Sequence, residues 1–294
     1  MKFLFKNKKS NNTQLSIKKN ILVTFSTCWY ILKSKFSENT YCKWISNLLS
    51  IVKNFNLVIY TNPESYEYLI QLIDSSNENI KVIIKPIEEF YTYKYKEHWI
   101  KNHEKSNMDL HKHTDWKLNM LWNEKIFFVN ETIKNRYFSS LYYGWCDIGY
   151  FRNRPHDIHT AYLQNWPNPE KLLSSNFINR YIHYACVQNE AKILESLSYD
   201  ITTHYTHKLE TPPTLRYTEI CFAGGFFILR PEVAVNYMKI YDEKLNYYFT
   251  NNYFIKDDQT IIMDIIFRNP NMFYIHNEND FKYDNWFMFQ RVLF

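Results

Sequence analysis

Asp147 lies in the run Gly144-Trp145-Cys146-Asp147-Ile148-Gly149, where a carboxylate ends an apolar segment and glycine follows two residues later. At the carboxyl end of a buried strand, such a carboxylate can hold a divalent cation or a sugar hydroxyl over the sheet rim. It can equally cap a turn that Gly149 permits. A second run of this kind is Ala223-Gly224-Gly225-Phe226-Phe227, and the two segments hold all four glycines of the chain. Asp257-Asp258-Gln259 opens a helical pattern, so its acids suit either a helix cap or a general base beside an electrophilic carbon. Tyr274-Ile275-His276 closes a short apolar run. Its imidazole reads as a hydrogen-bonded structural group or as a metal ligand that joins Asp147.

Composition narrows the chemistry. With four glycines at these positions, neither G-x-x-x-x-G-K nor G-x-G-x-x-G can be written, and G-x-S-x-G and H-E-x-x-H are missing too. The standard phosphate-loop and dinucleotide-loop enzymes are therefore excluded. His98, His103, His111 and His113 have no third ligand at a defined spacing and read as loop surface. The five cysteines are scattered and odd in number, which fits reduced thiols and a cytoplasmic protein, in the host cytoplasm for a viral gene. No leader-like segment opens the chain and no apolar run reaches the roughly 18 residues of a membrane span, so a soluble protein is expected. The first 20 residues carry six lysines and no acid against a formal +5 for the whole chain, which leaves the remainder one charge negative. That is a basic, flexible arm (1–20) on a neutral body, and the body does not read as a nucleic-acid binder. Aromatic residues reach 19% alongside many Asn, Lys and Ile, all AT-rich codons, which points to a viral or bacterial genome of that bias. Glycines kept against the bias mark backbone at positive φ or a close approach.

The elements that must position these residues alternate. Residues 21–26 form a β-branched strand, 41–55 show apolar residues on one helical face, 57–60 a strand, 65–73 a capped helix and 81–87 a third strand. This is the rhythm of a parallel sheet covered by helices, with ligands at the carboxyl ends of its strands, here 26–28 and 61–62. Residues 88–113 read as an irregular excursion or lid, 116–133 as a helix, 141–148 as a strand, 177–197 as a helix and 202–217 as a loop. Then come a strand at 220–229, helices at 231–248 and 257–267, and a short strand at 272–275. The expected organisation is one α/β domain over 21–294, a mostly parallel sheet with an elaborated second half.

Trp122-Asn123-Glu124-Lys125-Ile126-Phe127-Phe128-Val129, then Phe138-Ser139-Ser140 and the run from Gly144 through Tyr150-Phe151-Arg152, resemble the HtrL/YibB family of bacterial and viral proteins. So do Ala223-Gly224-Gly225-Phe226-Phe227 and Asp258-Gln259, and the likeness spans roughly residues 20–290. That family is similar to glycosyltransferases of the GT-A fold. The resemblance implies transfer of a sugar from a nucleotide-sugar donor, UDP- or GDP-linked, to an acceptor hydroxyl with Mn²⁺ or Mg²⁺. It places Asp147 at the metal-binding Asp-x-Asp motif, with Gly149 in place of the second acid and His276 as the C-terminal ligand. It further implies Lys125 or Arg152 on the diphosphate, Ser26, Thr27, Thr61 and Asn62 on the nucleoside, and Trp145, Gly224 and Gly225 around the donor. Asp258, then Asp257, with Gln259 beside them, would serve as base or charge stabiliser. The missing second acid leaves one alternative, a nucleotide-sugar or glycan-binding protein of the same fold without turnover. A nucleotidyltransferase is disfavoured because residues 21–30 contain no glycine.

Overall fold

The structure, a computed structural model, describes residues 21–106, 108–174, 177, 180–188, 190–207, 220–278 and 282–294. The basic arm lies outside them. Seven strands form one sheet: β1 (Val23–Trp29), β2 (Asn56–Thr61), β3 (Ile80–Ile84), β4 (Tyr142–Cys146), β5 (Ile182–Ala185), β6 (Phe226–Leu229) and β7 (Phe273–His276). Their order is β3-β2-β1-β4-β6-β5-β7. Neighbours run parallel except β6, which is antiparallel to both β4 and β5. The sheet is therefore mixed but mostly parallel, as expected. From β1 the chain steps outward through β2 and β3, then returns to place β4 on the other side of β1. The strand order reverses between β1 and β4, and a crevice opens at their carboxyl ends.

Among the described residues eleven helices surround the sheet: α1 (Glu38–Leu49), α2 (Pro63–Leu69), α3 (Lys96–Glu104), α4 (Asp109–Lys112), α5 (Trp116–Trp122), α6 (Lys125–Lys134), α7 (Pro169–Leu172), α8 (Ala191–His207), α9 (Pro231–Thr250), α10 (Asp258–Arg268) and α11 (Phe289–Val292). Local sequence explains their starts. Ser37 accepts the Thr40 N–H to cap α1, Asn62 accepts the Ser65 N–H with Pro63 at the first turn of α2, and Asp257 accepts the Gln259 N–H to cap α10.

Strand alternation divides the core in two. Tyr143, Trp145, Phe227 and Leu229 pack against α5, α6, α9 and α10 on one face. Tyr142, Cys146, Phe226 and Ile228 pack against α1 and the C-terminal segment around Phe289 on the other. Because both faces are covered, β1 (VTFSTCW) is buried along its whole length.

Several elements differ from the sequence reading. Residues 177–197 are not one helix: β5 occupies the middle and α8 begins at Ala191. β5 is only four residues with both faces buried, so its pattern has no period of two to reveal it. Residues 202–207, expected as loop, belong to α8, and 208–217 lie outside the described residues. The excursion at 88–113 is helical, with α3, α4 and 3-10 turns at 87–89 and 91–95 seating Trp99 fully inside the core. His111 is buried there rather than on the surface, its Nε2 at 2.8 Å from the Lys256 carbonyl. The 116–133 helix breaks at Asn123-Glu124 into α5 and α6.

Candidate active site

The break between α5 and α6 aims Lys125 at the carboxyl end of β4. Asn123 donates to the Asn119 carbonyl and accepts from the Tyr241 hydroxyl, while the buried Glu124 carboxylate receives the N–H groups of Tyr91 and Thr92 and the Thr92 hydroxyl. Burial, opposed by those hydrogen bonds, pushes Glu124 up to about 7. Lys125 then projects its ammonium to three acceptors: Asp258 Oδ2 at 2.8 Å, the Gly224 carbonyl at 2.8 Å and Asp147 Oδ1 at 3.2 Å. The Gly224 contact is a hydrogen bond, whereas the two carboxylates meet the ammonium as ion pairs, and Asp258 Oδ2 accepts no hydrogen bond among the described residues. Burial alone would favour loss of its proton, but the Asp147 and Asp258 carboxylates outweigh that and hold Lys125 above the ordinary lysine value. Burial also raises the Asp258 carboxyl, with Lys125 pulling it back down.

The two carboxylates are not equivalent. Asp258 is buried, with its side chain 8% exposed. The Asp147 side chain is 40% exposed and lines a cleft of about 310 Å³. Asp147 Oδ1 also receives the Trp145 indole N–H at 2.6 Å. Its Oδ2 accepts no hydrogen bond among the described residues and lies on the Gly225 side.

Glycine clears the space for both acids. A Cβ on Gly224 would lie 2.4 Å from Asp258 Oδ2, and one on Gly225 would lie 3.2 Å from Asp147 Oδ2. A Cβ on Gly149 would strike the Trp44 ring at 2.8 Å. No described glycine has a positive φ, so close approach is the reason for these glycines.

The cleft sits at the β1/β4 switch point. Its walls are the end of β1 at Cys28 and Trp29 and the residues that follow up to Glu38, together with Tyr41, Leu118, Leu121 and Trp122, and its floor holds Lys125, Trp145, Asp147, Gly149 and Arg152. The sequence reading ended β1 at Ser26, but the strand runs to Trp29. Ser26 and Thr27 consequently lie within the sheet, fully buried, and Ser26 spends its hydroxyl on Thr132 at 2.8 Å. Thr61 is the last residue of β2 and donates to the Trp29 carbonyl, and Asn62 is committed to capping α2. None of these four lines the cleft. The segment that replaces them, with Phe36, Tyr41 and Trp44, could have been found from the same crevice rule had β1 been continued three residues further.

Asp258, Asp257 and Gln259 do not line the cleft either. Asp258 reaches it through Lys125, and Asp257 is paired with Lys256 at 3.3 Å besides capping α10. The strand-like segment before α10 is pinned from three sides. Asn102 brackets Ile255, accepting its N–H and donating to its carbonyl, while Asn119 and His111 hold the Lys256 carbonyl.

Asp147 and His276 are not brought together. Asp147 follows Trp145 onto the α6 face, whereas His276 points to the opposite face, against Phe177 and Phe289. β6 and β5 separate their strands, a gap of three strand spacings or about 14 Å. His276 Nε2 is instead 3.0 Å from His183 Nδ1, and burial with His183 beside it pushes His276 down to about 3. No group of three His, Cys, Asp or Glu side chains able to hold a metal occurs among the described residues. The residues present do not form the Asp–His cation site that the family resemblance implies; a lysine ammonium fills the place between the carboxylates.

No protein-family model matches the sequence, and no curated protein matches it. Among solved structures, the fold is similar to mouse xyloside xylosyltransferase 1 in its apo form, at 12% identity and TM-score 0.43 over 88% of this chain and 85% of that one. It is also similar to an active-site mutant of LgtC, at 8% identity and TM-score 0.44 over 87% and 72% of the two chains. A complex of the galactosyltransferase LgtC with donor and acceptor sugar analogs gives 8% identity and TM-score 0.44 over 87% and 73%. No helix of the described residues is long and apolar enough to cross a membrane.

Proposed function

We propose that this chain transfers a sugar from a UDP- or GDP-linked donor to an acceptor hydroxyl in the crevice between β1 and β4. The observation that carries the reading is Asp147, whose Oδ1 is fixed by Lys125 and Trp145 while its part-exposed side chain lines the cleft. In such a transfer the bond from the anomeric carbon to the diphosphate oxygen breaks and the acceptor oxygen bonds to that carbon. The acceptor proton must leave, and positive charge builds on the sugar ring. A carboxylate that is already oriented and needs no reorganisation suits both demands. Asp147 therefore takes the role at the reacting centre. Asp258 acts behind it, keeping the Lys125 ammonium in place so that Asp147 cannot rotate away. Burying Lys125 with both acids leaves that triad one charge negative overall, which favours an oxocarbenium-like centre above it. Phe36 and Tyr41 in the cleft wall offer ring surface for the nucleoside. No step is assigned to Mn²⁺ or Mg²⁺, because Asp147 and His276 do not share a site.

That separation is also the observation favouring a second reading, a nucleotide-sugar or glycan-binding protein without turnover. A panel of nucleotide sugars, followed by thermal shift and by sugar release with and without Mn²⁺, separates the two. Stabilisation with sugar release supports transfer. Stabilisation without release, with any acceptor offered, supports binding alone, and no stabilisation by any nucleotide removes both.

A further inference from the structure

Residues 1–20 carry six lysines and no acid, while the rest of the chain sums to one negative charge. Ile21 and Leu22 lead into the amino end of β1, whereas the crevice opens at the carboxyl ends of β1 and β4. With seven residues in β1, about 23 Å of strand separates the two ends. The charge of the arm therefore joins the body at an edge remote from the crevice.

That edge has cations of its own. The Ile21 carbonyl receives the Ser140 hydroxyl at 3.4 Å, and the Leu22 carbonyl receives the Leu141 and Tyr142 N–H groups, which ties the entry of β1 to the turn between α6 and β4. Lys134 ends α6 and Arg136 follows it, both exposed. Lys81, near the start of β3 and also exposed, brings its ammonium to 4.8 Å from the centre of the Tyr137 ring in the same turn. None of the three makes an ion pair among the described residues, whereas Lys85 at the other end of β3 is spent on Glu131 at 2.6 Å. Arg136 holds φ at 51°, a left-handed conformation that glycine or asparagine adopts at lower cost. Glu78, two residues before β3, is the exposed acid nearest to Lys81 in sequence, so the cations outnumber it.

Exposed, unpaired cations continuous with six more suit a partner of fixed negative charge. Phe3-Leu4-Phe5, set between Lys2 and Lys6, favours a lipid surface over nucleic acid. Apolar side chains flanked by lysine enter the headgroup boundary while the ammonium groups meet anionic lipid, and the two signals together hold where one alone is marginal. The arm contains no arginine, the side chain best suited to forked phosphate and base contacts.

We propose that residues 1–20 and the Lys81, Lys134 and Arg136 edge form one surface that docks on an anionic membrane. It is independent of the sugar-transfer reading, since it needs only the charge, the apolar trio and the edge from which β1 starts.

Co-sedimentation of the full chain with phosphatidylcholine vesicles, with and without about 30% phosphatidylserine, tests it at low and high salt. The wild type is expected to partition onto the anionic vesicles about tenfold more strongly than onto neutral ones, with the preference lost at high salt. Replacing Lys2, Lys6, Lys8 and Lys9 by Gln, or Phe3 and Phe5 by Ser, should lower that partitioning about tenfold. The triple change Lys81→Gln, Lys134→Gln and Arg136→Gln should lower it about threefold. A charge-matched control on α1, α4 and α8, Lys43→Gln with Lys112→Gln and Lys192→Gln, should leave it unchanged. If Lys81→Gln lowers the melting temperature by disturbing Tyr137, Lys134→Gln with Arg136→Gln carries the edge test. A wild type without preference for anionic vesicles, arm variants that bind as well as wild type, or an edge variant no weaker than the control overturns the proposal. Binding to a poly(U) strand without vesicle preference overturns it in favour of nucleic acid.

Discussion

Two groups of polar residues stand at the carboxyl ends of strands in this sheet, and they have opposite fates. At the β1/β4 switch point, Asp147, Lys125 and Asp258 remain charged beside an open cleft. At the β5/β7 edge, His276, held neutral by burial, faces His183, and both rings stack against Phe177. Both places satisfy the loose rule that ligands gather at strand ends. Only the first lies where the strand order reverses and the connections diverge, so only there does the backbone leave a crevice. A strand-end polar residue is therefore informative in proportion to its nearness to the switch point.

Mutations can break that contrast. The largest effect is expected at Asp147: Asp147→Asn keeps the indole contact yet removes the carboxylate charge, and should lower any sugar-transfer rate by about 100-fold or more while leaving the melting temperature near wild type. Lys125→Met leaves the buried Asp258 and its partner acid without their shared ammonium, and should cost about 3–5 kcal/mol in denaturant unfolding. Gly224→Ala forces the Asp258 carboxylate to move, at about 1–3 kcal/mol, with loss of activity accompanying the loss of stability.

The smallest effect is one of pH, and it belongs to the other region. His276 has a folded value of about 3 against an ordinary 6.5. Between those values the unfolded chain binds the extra proton and the folded chain does not. The stability from the neutral His276 is complete above pH 6.5 and is lost as the pH falls toward 3. His276→Phe should flatten the pH dependence of unfolding over that window and leave diphosphate affinity unchanged.

The contrast also explains what could be read from sequence. The first half of the sheet was legible because β1, β2 and the helices between them carry long apolar patterns with Ser37, Asn62 and Pro63 as start signals. The rim was displaced because β1 continues through Ser26, Thr27 and Cys28 to Trp29, a fully buried strand in which Ser26 bonds Thr132 and the Thr27 hydroxyl has no hydrogen-bond partner among the described residues. β5 escaped notice because His183, one of its four residues, is polar and buried. The glycines were the strongest signal. Scarcity marked Gly149, Gly224 and Gly225, yet their reason, close approach by Trp44 and two carboxylates, is three-dimensional. The role of Lys125 was equally beyond reach, since its three acceptors come from β4, the segment before β6 and α10.

The most direct test of the account is a crystal structure of the chain with uridine diphosphate. The account predicts the nucleotide in the β1/β4 crevice, with diphosphate oxygens within hydrogen-bond distance of Arg152 and the Lys125–Asp147–Asp258 triad intact beneath. A nucleotide seated at the β5/β7 edge on His276, or one whose diphosphate displaces Lys125 from both carboxylates, would contradict it.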